Sequence, residues 1–176
     1  MNILIDDIKK LIKKLALPAM IGTLFQTLYN IVDTFFAGKI SAEALSALSK
    51  SFPVYFIIIA TSIGVTVAGT SLIGNSIGEK NEKNSLFYFS HIIYFGILIS
   101  IIITFIGLNY SGDIFKLMGS SEYVTNLGLQ YTNIIFSGSI LFIIVVAVNS
   151  LLHAEGDTKT YRNVLILSFL INIILN

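Results

Sequence analysis

LALPAMIGTLFQTLYNIVDTFFAG, residues 15–38, is long enough to cross a bilayer and carries one charge, Asp33. A span needs about 20 mostly apolar residues at the helical rise. A carboxylate at the centre of such a span costs several kcal/mol, roughly 2.5–3.5 on insertion scales. It is tolerated where it faces a protein interior or a water-filled cavity, takes up a proton or binds a cation. Asp33 is therefore the first candidate functional residue. The competing reading leaves it hydrated at the interface, because the run ends soon after it.

Composition extends this reading to the whole chain. It is 55% hydrophobic and 12% charged, where soluble domains carry about 25% charged residues. The shortfall lies in blocks. Residues 51–78, 84–112 and 123–152 contain no Lys, Arg, Asp or Glu, and His91 is the one ionisable imidazole of the second block. A further run, 163–176, has 14 residues and ends with the chain. The runs are too long, and too evenly apolar, for barrel strands of about 9–11 alternating residues. The expected fold is an all-α integral membrane protein with four complete transmembrane helices, 15–38, 51–78, 84–112 and 123–152, and a truncated fifth, 163–176. On this reading the chain is a piece of a longer protein. Gly64–Val65–Thr66–Val67–Ala68–Gly69–Thr70–Ser71 reads as a close helix contact, since small residues let backbones approach in lipid.

Residues 1–14 differ in kind. Leu4, Ile8, Leu11, Ile12 and Leu15 recur at helical spacing, with Lys9, Lys10, Lys13 and Lys14 opposite. This is an amphipathic helix expected along the anionic cytoplasmic leaflet, followed by an uncleaved first span. Eight basic residues (Lys9, Lys10, Lys13, Lys14, Lys80, Lys83, Lys159 and Arg162) fall on one side of the expected spans, and three (Lys39, Lys50 and Lys116) on the other. The positive-inside rule then puts the N-terminus in the cytoplasm. Pro18 and Pro53 are expected near helix starts, Gly156 at a left-handed C-cap and Asp157 or Thr158 at an N-cap. Cysteine is absent and the formal net charge is +1, so disulfides and a nucleic-acid footprint are not expected.

Three stretches carry a family resemblance: LPAMIGTLFQTLYNIVDTFFAGKIS at 17–41, continuing through SAEALSALSKSFPV to residue 54, then GDTKT at 156–160, then LINIILN at 170–176. In order, spacing and topology they resemble the opening of a MATE (multidrug and toxic compound extrusion) transporter. Tyr161 departs from the family, which often has proline after GDTKT, and Asn176 stands where many members have aspartate. The resemblance implies most of the N-terminal six-helix lobe of a twelve-helix plasma-membrane exporter. Such exporters move organic, often cationic, small molecules outward in exchange for Na⁺ or H⁺, with no cofactor. It also implies a cation or proton site at Asp33, Asn172 and Asn176, with Gln26 and Tyr29 supporting it or lining the cavity.

The residue chemistry agrees. Asn172 and Asn176 are four apart on one helical face, and each offers a hard carbonyl oxygen. One carboxylate among neutral oxygens suits Na⁺ or a proton better than a divalent ion. Gln26, Tyr29 and Asp33 are spaced by three and four, along one stripe. The asparagines also fit interhelical hydrogen bonding without a ligand. Gln130 and Asn149 read as packing or cavity groups, and His91 as interfacial. No phosphate-binding loop or nucleophile–base pair is present, so an enzyme is not indicated. Two alternatives stand beside the antiporter. One is a lipid-linked oligosaccharide flippase of the same superfamily, which a single loop arginine, Arg162, disfavours. The other is a small non-transporting membrane scaffold.

The orientation is testable because the chain has no cysteine. Single cysteines at Ser41 and Ser120 are expected to react with an impermeant thiol reagent in intact cells, and those at Asn81 and Lys159 to be protected. The opposite pattern would reverse the topology.

Overall fold

In hydrocarbon every backbone N–H and C=O must find its partner within the protein, which leaves helices as the solution for uniformly apolar runs. The computed structural model describes residues 7–175. Residues 1–6 and Asn176 lie outside the described residues, so the first part of the expected amphipathic helix, with Leu4, is not treated further. The elements are α1 (Ile8–Leu11), a π-helical segment (Ile12–Ala16), α2 (Leu17–Ile40), α3 (Ala42–Gly78), α4 (Glu82–Leu117), α5 (Glu122–Ser137), α6 (Ser139–Glu155) and α7 (Thr158–Leu175). Ile8–Ile40, Ala42–Gly78 and Glu82–Leu117 are each long and apolar enough to cross a membrane. The pair α5 and α6 makes a fourth such stretch, bent by 49°.

Several expectations change. Residues 8–16 do not form a separate helix; they run through the π segment into α2. The expected loop between the first two spans shrinks to Ser41, whose hydroxyl caps α3 by accepting from the Ala44 N–H at 3.0 Å. Lys39 and Lys50 are therefore helical. Pro53 lies inside α3 and not at its start, because residues 42–50, AEALSALSK, are themselves helical. The fourth expected span is broken at Gly138. There Thr104 Oγ1 of α4 donates to the Phe136 carbonyl at 2.8 Å, and the Ser139 hydroxyl, within reach of both Thr104 Oγ1 (2.7 Å) and the Ser100 carbonyl (3.2 Å), has one hydrogen to share between them. The Thr104 hydroxyl thus serves a backbone carbonyl at the break, which lipid could not. At the next turn the expectation holds: Gly156 has φ +78°, and Asp157 accepts from the Thr160 N–H at 3.0 Å. The Thr160 hydroxyl and amide hold the Asp157 carboxyl below the usual carboxylate range. The cap is thus fully present above the ordinary carboxylate value and is lost as pH falls through the lowered one.

α3 is the central helix, packed against α4, α5 and α6, with α2 at its side; α7 pairs mainly with α2. The apolar core is Val54 and Ile58 of α3, Ile103 and Phe115 of α4, Phe136 of α5 and Ile143 of α6. Its seams are set by glycine. A Cβ at Gly107 of α4 would run into the Phe136 ring, and one at Gly128 of α5 into the Phe115 ring. A Cβ at Gly96 would meet Ile143 at 2.7 Å. The glycine-rich stretch of α3 divides. Gly69 lies tight against Ser150 of α6, whereas a Cβ at Gly64 would meet nothing within 4 Å.

These contacts separate two kinds of glycine. Gly107→Ala and Gly128→Ala are each expected to cost about 1–3 kcal/mol of overpacking, lowering the midpoint of heating followed by size-exclusion in detergent. Gly64→Ala is expected to leave that midpoint unchanged or to raise it. Equal midpoints for all three would contradict the seam assignment.

Candidate cation and proton site

α2 and α7 run parallel, and three contacts bind them. At Gly22 the backbone of α7 comes close: a Cβ there would lie 3.3 Å from the Arg162 Cα and 3.1 Å from Leu165. One turn further, Phe25 and Phe169 stack edge to face with centroids 5.4 Å apart. Beyond them Asn172 Nδ2 donates to Asp33 Oδ1 at 2.7 Å. Asn172 is 7% exposed and Asp33 half-buried. The intramembrane carboxylate thus faces a protein partner on the neighbouring helix, in the short range of charge-assisted hydrogen bonds.

Of the other sequence candidates, Tyr29 is half-buried one turn before Asp33 and Gln26 is exposed. Asn176 lies outside the described residues. His91 is exposed, with its ring 3.9 Å from that of Phe87 and Nδ1 against the Phe87 carbonyl. Gln130 is exposed and Asn149 half-buried.

Two residues near the carboxylate were not singled out by sequence. Tyr55 of α3 and Tyr131 of α5 face each other with centroids 6.2 Å apart, and both lie within electrostatic reach of Asp33, Tyr131 also of Tyr29. Phenols from α3 and α5 thus form a pair on the side of the bundle toward the carboxylate. The available signal was tyrosine, not phenylalanine, inside an apolar run: the hydroxyl has to find a polar neighbour there. A second missed feature is a polar stripe on another face of α2. Thr27, Asn30 and Thr34, with Ile31 and Phe35, line an open groove of about 420 Å³. Thr27 and Thr34 donate their hydroxyls to carbonyls four residues back.

One carboxylate with a neutral amide and phenol hydroxyls can exchange a proton or hold a monovalent cation. Among the described residues no three His, Cys, Asp or Glu side chains are gathered together, the arrangement a multi-carboxylate divalent site uses.

With four apolar helical stretches and a carboxylate held between parallel helices, the architecture is that of a polytopic membrane protein. The MatE family matches residues 18–176, and the chain belongs to that family. Over 159 residues it is 30% identical to the "Probable multidrug resistance protein YoeA" of Bacillus subtilis (strain 168), covering 90% of this chain and 34% of that protein. It is 26% identical over 175 residues to the "FAD transporter" of Shewanella oneidensis, covering 99% of this chain and 39% of that protein. A solved structure described as the "Outward-facing conformation of a multidrug resistance MATE family transporter of the MOP superfamily" superposes with a TM-score of 0.90 at 29% identity, over 97% of this chain and 38% of that one. The chain thus spans little more than a third of the length of the relatives it matches.

The Asp33–Asn172 bond can be weighed by a double-mutant cycle. Asp33→Asn, Asn172→Ala and the double variant, compared by reversible unfolding in bicelles, are expected to give a coupling energy of about 1–2 kcal/mol. Additive effects would mean that the two side chains do not act as a pair.

Proposed function

We propose that this chain is most of the N-terminal lobe of a secondary active efflux antiporter, which exports organic, often cationic, compounds in exchange for Na⁺ or H⁺. The observation that carries the reading is the hydrogen bond of 2.7 Å from Asn172 to Asp33, a charge-bearing link between α2 and α7 at membrane depth. A proton or Na⁺ arriving at Asp33 competes with that link. Protonation removes the charge that strengthens the bond, and a cation draws the carboxylate oxygens and the amide oxygen of Asn172 around itself. Either event changes what holds α2 against α7. Asn176 is assigned as a further oxygen ligand from the family resemblance. Tyr29, Tyr55 and Tyr131 supply hydroxyls that can follow the carboxylate as its charge changes, and Gln26 with the Thr27–Asn30–Thr34 stripe faces the transport path. Alternating access by two lobes moving against each other converts the inward ion gradient into outward movement of the compound. The N-terminal end lies in the cytoplasm, and the protein resides in the plasma membrane.

The relatives named divide between multidrug resistance and FAD transport, so the substrate class is assigned by transport and not by kinship. The test is substrate efflux from proteoliposomes under an imposed Na⁺ or H⁺ gradient, in the full-length protein. Asp33→Asn is expected to reduce gradient-driven efflux to the rate of protein-free liposomes while insertion and expression stay near wild type. Asn172→Ala is expected to weaken ion dependence roughly ten-fold, the equivalent of about 1.4 kcal/mol for one charge-assisted hydrogen bond. Normal gradient-driven efflux by Asp33→Asn would defeat the assignment.

A further inference from the structure

Pro18 has no N–H, so one carbonyl of the preceding turn loses its helical donor. The π-helical segment Ile12–Ala16 lies directly before this proline, and the Lys14 carbonyl is served from another helix. Thr158, the first residue of α7 and 7% exposed, donates its hydroxyl to it at 3.4 Å. Residues 8–16 are thus an arm that continues α2 and is tied to α7. Its faces are sorted. Leu11 and Leu15 are half-buried. Ile8 and Ile12, one turn apart, are 72% and 58% exposed. Lys9, Lys13 and Lys14 are exposed on the other side. Asp7, at the N-cap just before the arm, accepts from the Lys9 N–H at 3.0 Å. A row of cations beside two protruding isoleucines is the pattern of a segment seated at the boundary between headgroups and acyl chains.

We propose that residues 8–16 form a docking surface for anionic phospholipid headgroups, with Lys9, Lys13 and Lys14 against the phosphates and Ile8 and Ile12 entering the acyl boundary. The charge complementarity selects an anionic lipid surface over a neutral one, since each lysine near such a surface contributes attraction that decays within a Debye length. The arm touches both helices that carry the Asp33–Asn172 bond. Headgroup engagement therefore bears on how α2 and α7 sit at that end; this consequence rests on the proposed function, whereas the docking itself does not.

The experiment uses a nitroxide on Ile12→Cys, in a protein otherwise free of cysteine, reconstituted in phosphatidylcholine vesicles with or without phosphatidylglycerol. Collision with oxygen and with a water-soluble nickel chelate reports depth, and a nitroxide on Leu98→Cys, 56% exposed in α4, gives the bilayer reference. The Ile12 label is expected to move deeper in the anionic vesicles. Lys9→Gln, Lys13→Gln and Lys14→Gln are each expected to weaken that lipid preference about five-fold. Inorganic phosphate added to neutral vesicles is expected to leave the label in place. Thr158→Val is expected to loosen the arm, seen as faster nitroxide motion, with the lipid preference retained. An Ile12 label equally exposed to the chelate in both vesicle types, or a triple Lys→Gln variant with undiminished lipid dependence, would overturn the proposal. None of these readouts depends on transport.

Discussion

Lipid tails are as apolar as leucine, so two helices in a bilayer gain little by hiding apolar surface from their solvent; they hold together by closeness of fit and by polar groups with nowhere else to turn. The rest of this structure follows from that constraint. α4 and α5 exchange aromatic rings for glycines in both directions, Phe136 over Gly107 and Phe115 over Gly128. α3 and α6 meet where Gly69 admits Ser150, and the Thr70 hydroxyl donates to the Ser150 carbonyl at 3.3 Å. Buried hydroxyls elsewhere mostly bond back along their own helix, as Ser51 does to Ala47 and Thr132 to Gly128. They are small enough for the seam, and bonding back along the helix gives these donors a partner where hydrocarbon offers none.

Fit is unevenly distributed. The helices α3, α4, α5 and α6 supply every member of the buried apolar cluster. α2 buries only Pro18 and Gly22, and α7 only Thr158 and Asn172. The pair that carries the carboxylate is thus the less densely buried layer, laid beside a well-packed block. Segments with few buried contacts open at lower free-energy cost than the core. A hydrogen bond that depends on charge has more influence there, where little else opposes a change, than it would between α4 and α5.

Sequence reasoning reached the parts governed by one dominant physical effect. Asp33 was visible because no other charge interrupts a long apolar run, and Asn172 because it lies on the helix that the resemblance pairs with the first span; the structure joins the two by a hydrogen bond. Gly156 and Asp157 were visible because a left-handed cap and a side-chain N-cap depend on one residue each. The features that escaped depend on tertiary context. Residues 42–50, bounded by the charges of Lys39 and Lys50, read as the connection between two apolar runs, yet Ser41 caps a helix through them and leaves Pro53 in its interior. Gly138 sits in a run without charges, between Ser137 and Ser139, and its break depends on Thr104 and the Ser100 carbonyl being in place to receive it. Tyr55 and Tyr131 were not singled out because their sequence neighbours say nothing of a carboxylate on another helix.

The reciprocal exchange of rings and glycines also limits the kinematics of the bundle. A ring seated over a glycine acts as a detent. For α5 to slide along α4, Phe136 would have to climb over the side chains flanking Gly107 while Phe115 climbed in the opposite sense past Gly128. Axial shear between these helices is therefore blocked at two points at once. Rocking about the line joining the two seats leaves both engaged, and rotation at Gly138 lets α6 follow a different arc from α5. The α4–α5 contact is built as a pivot with a fixed axis and not as a rail.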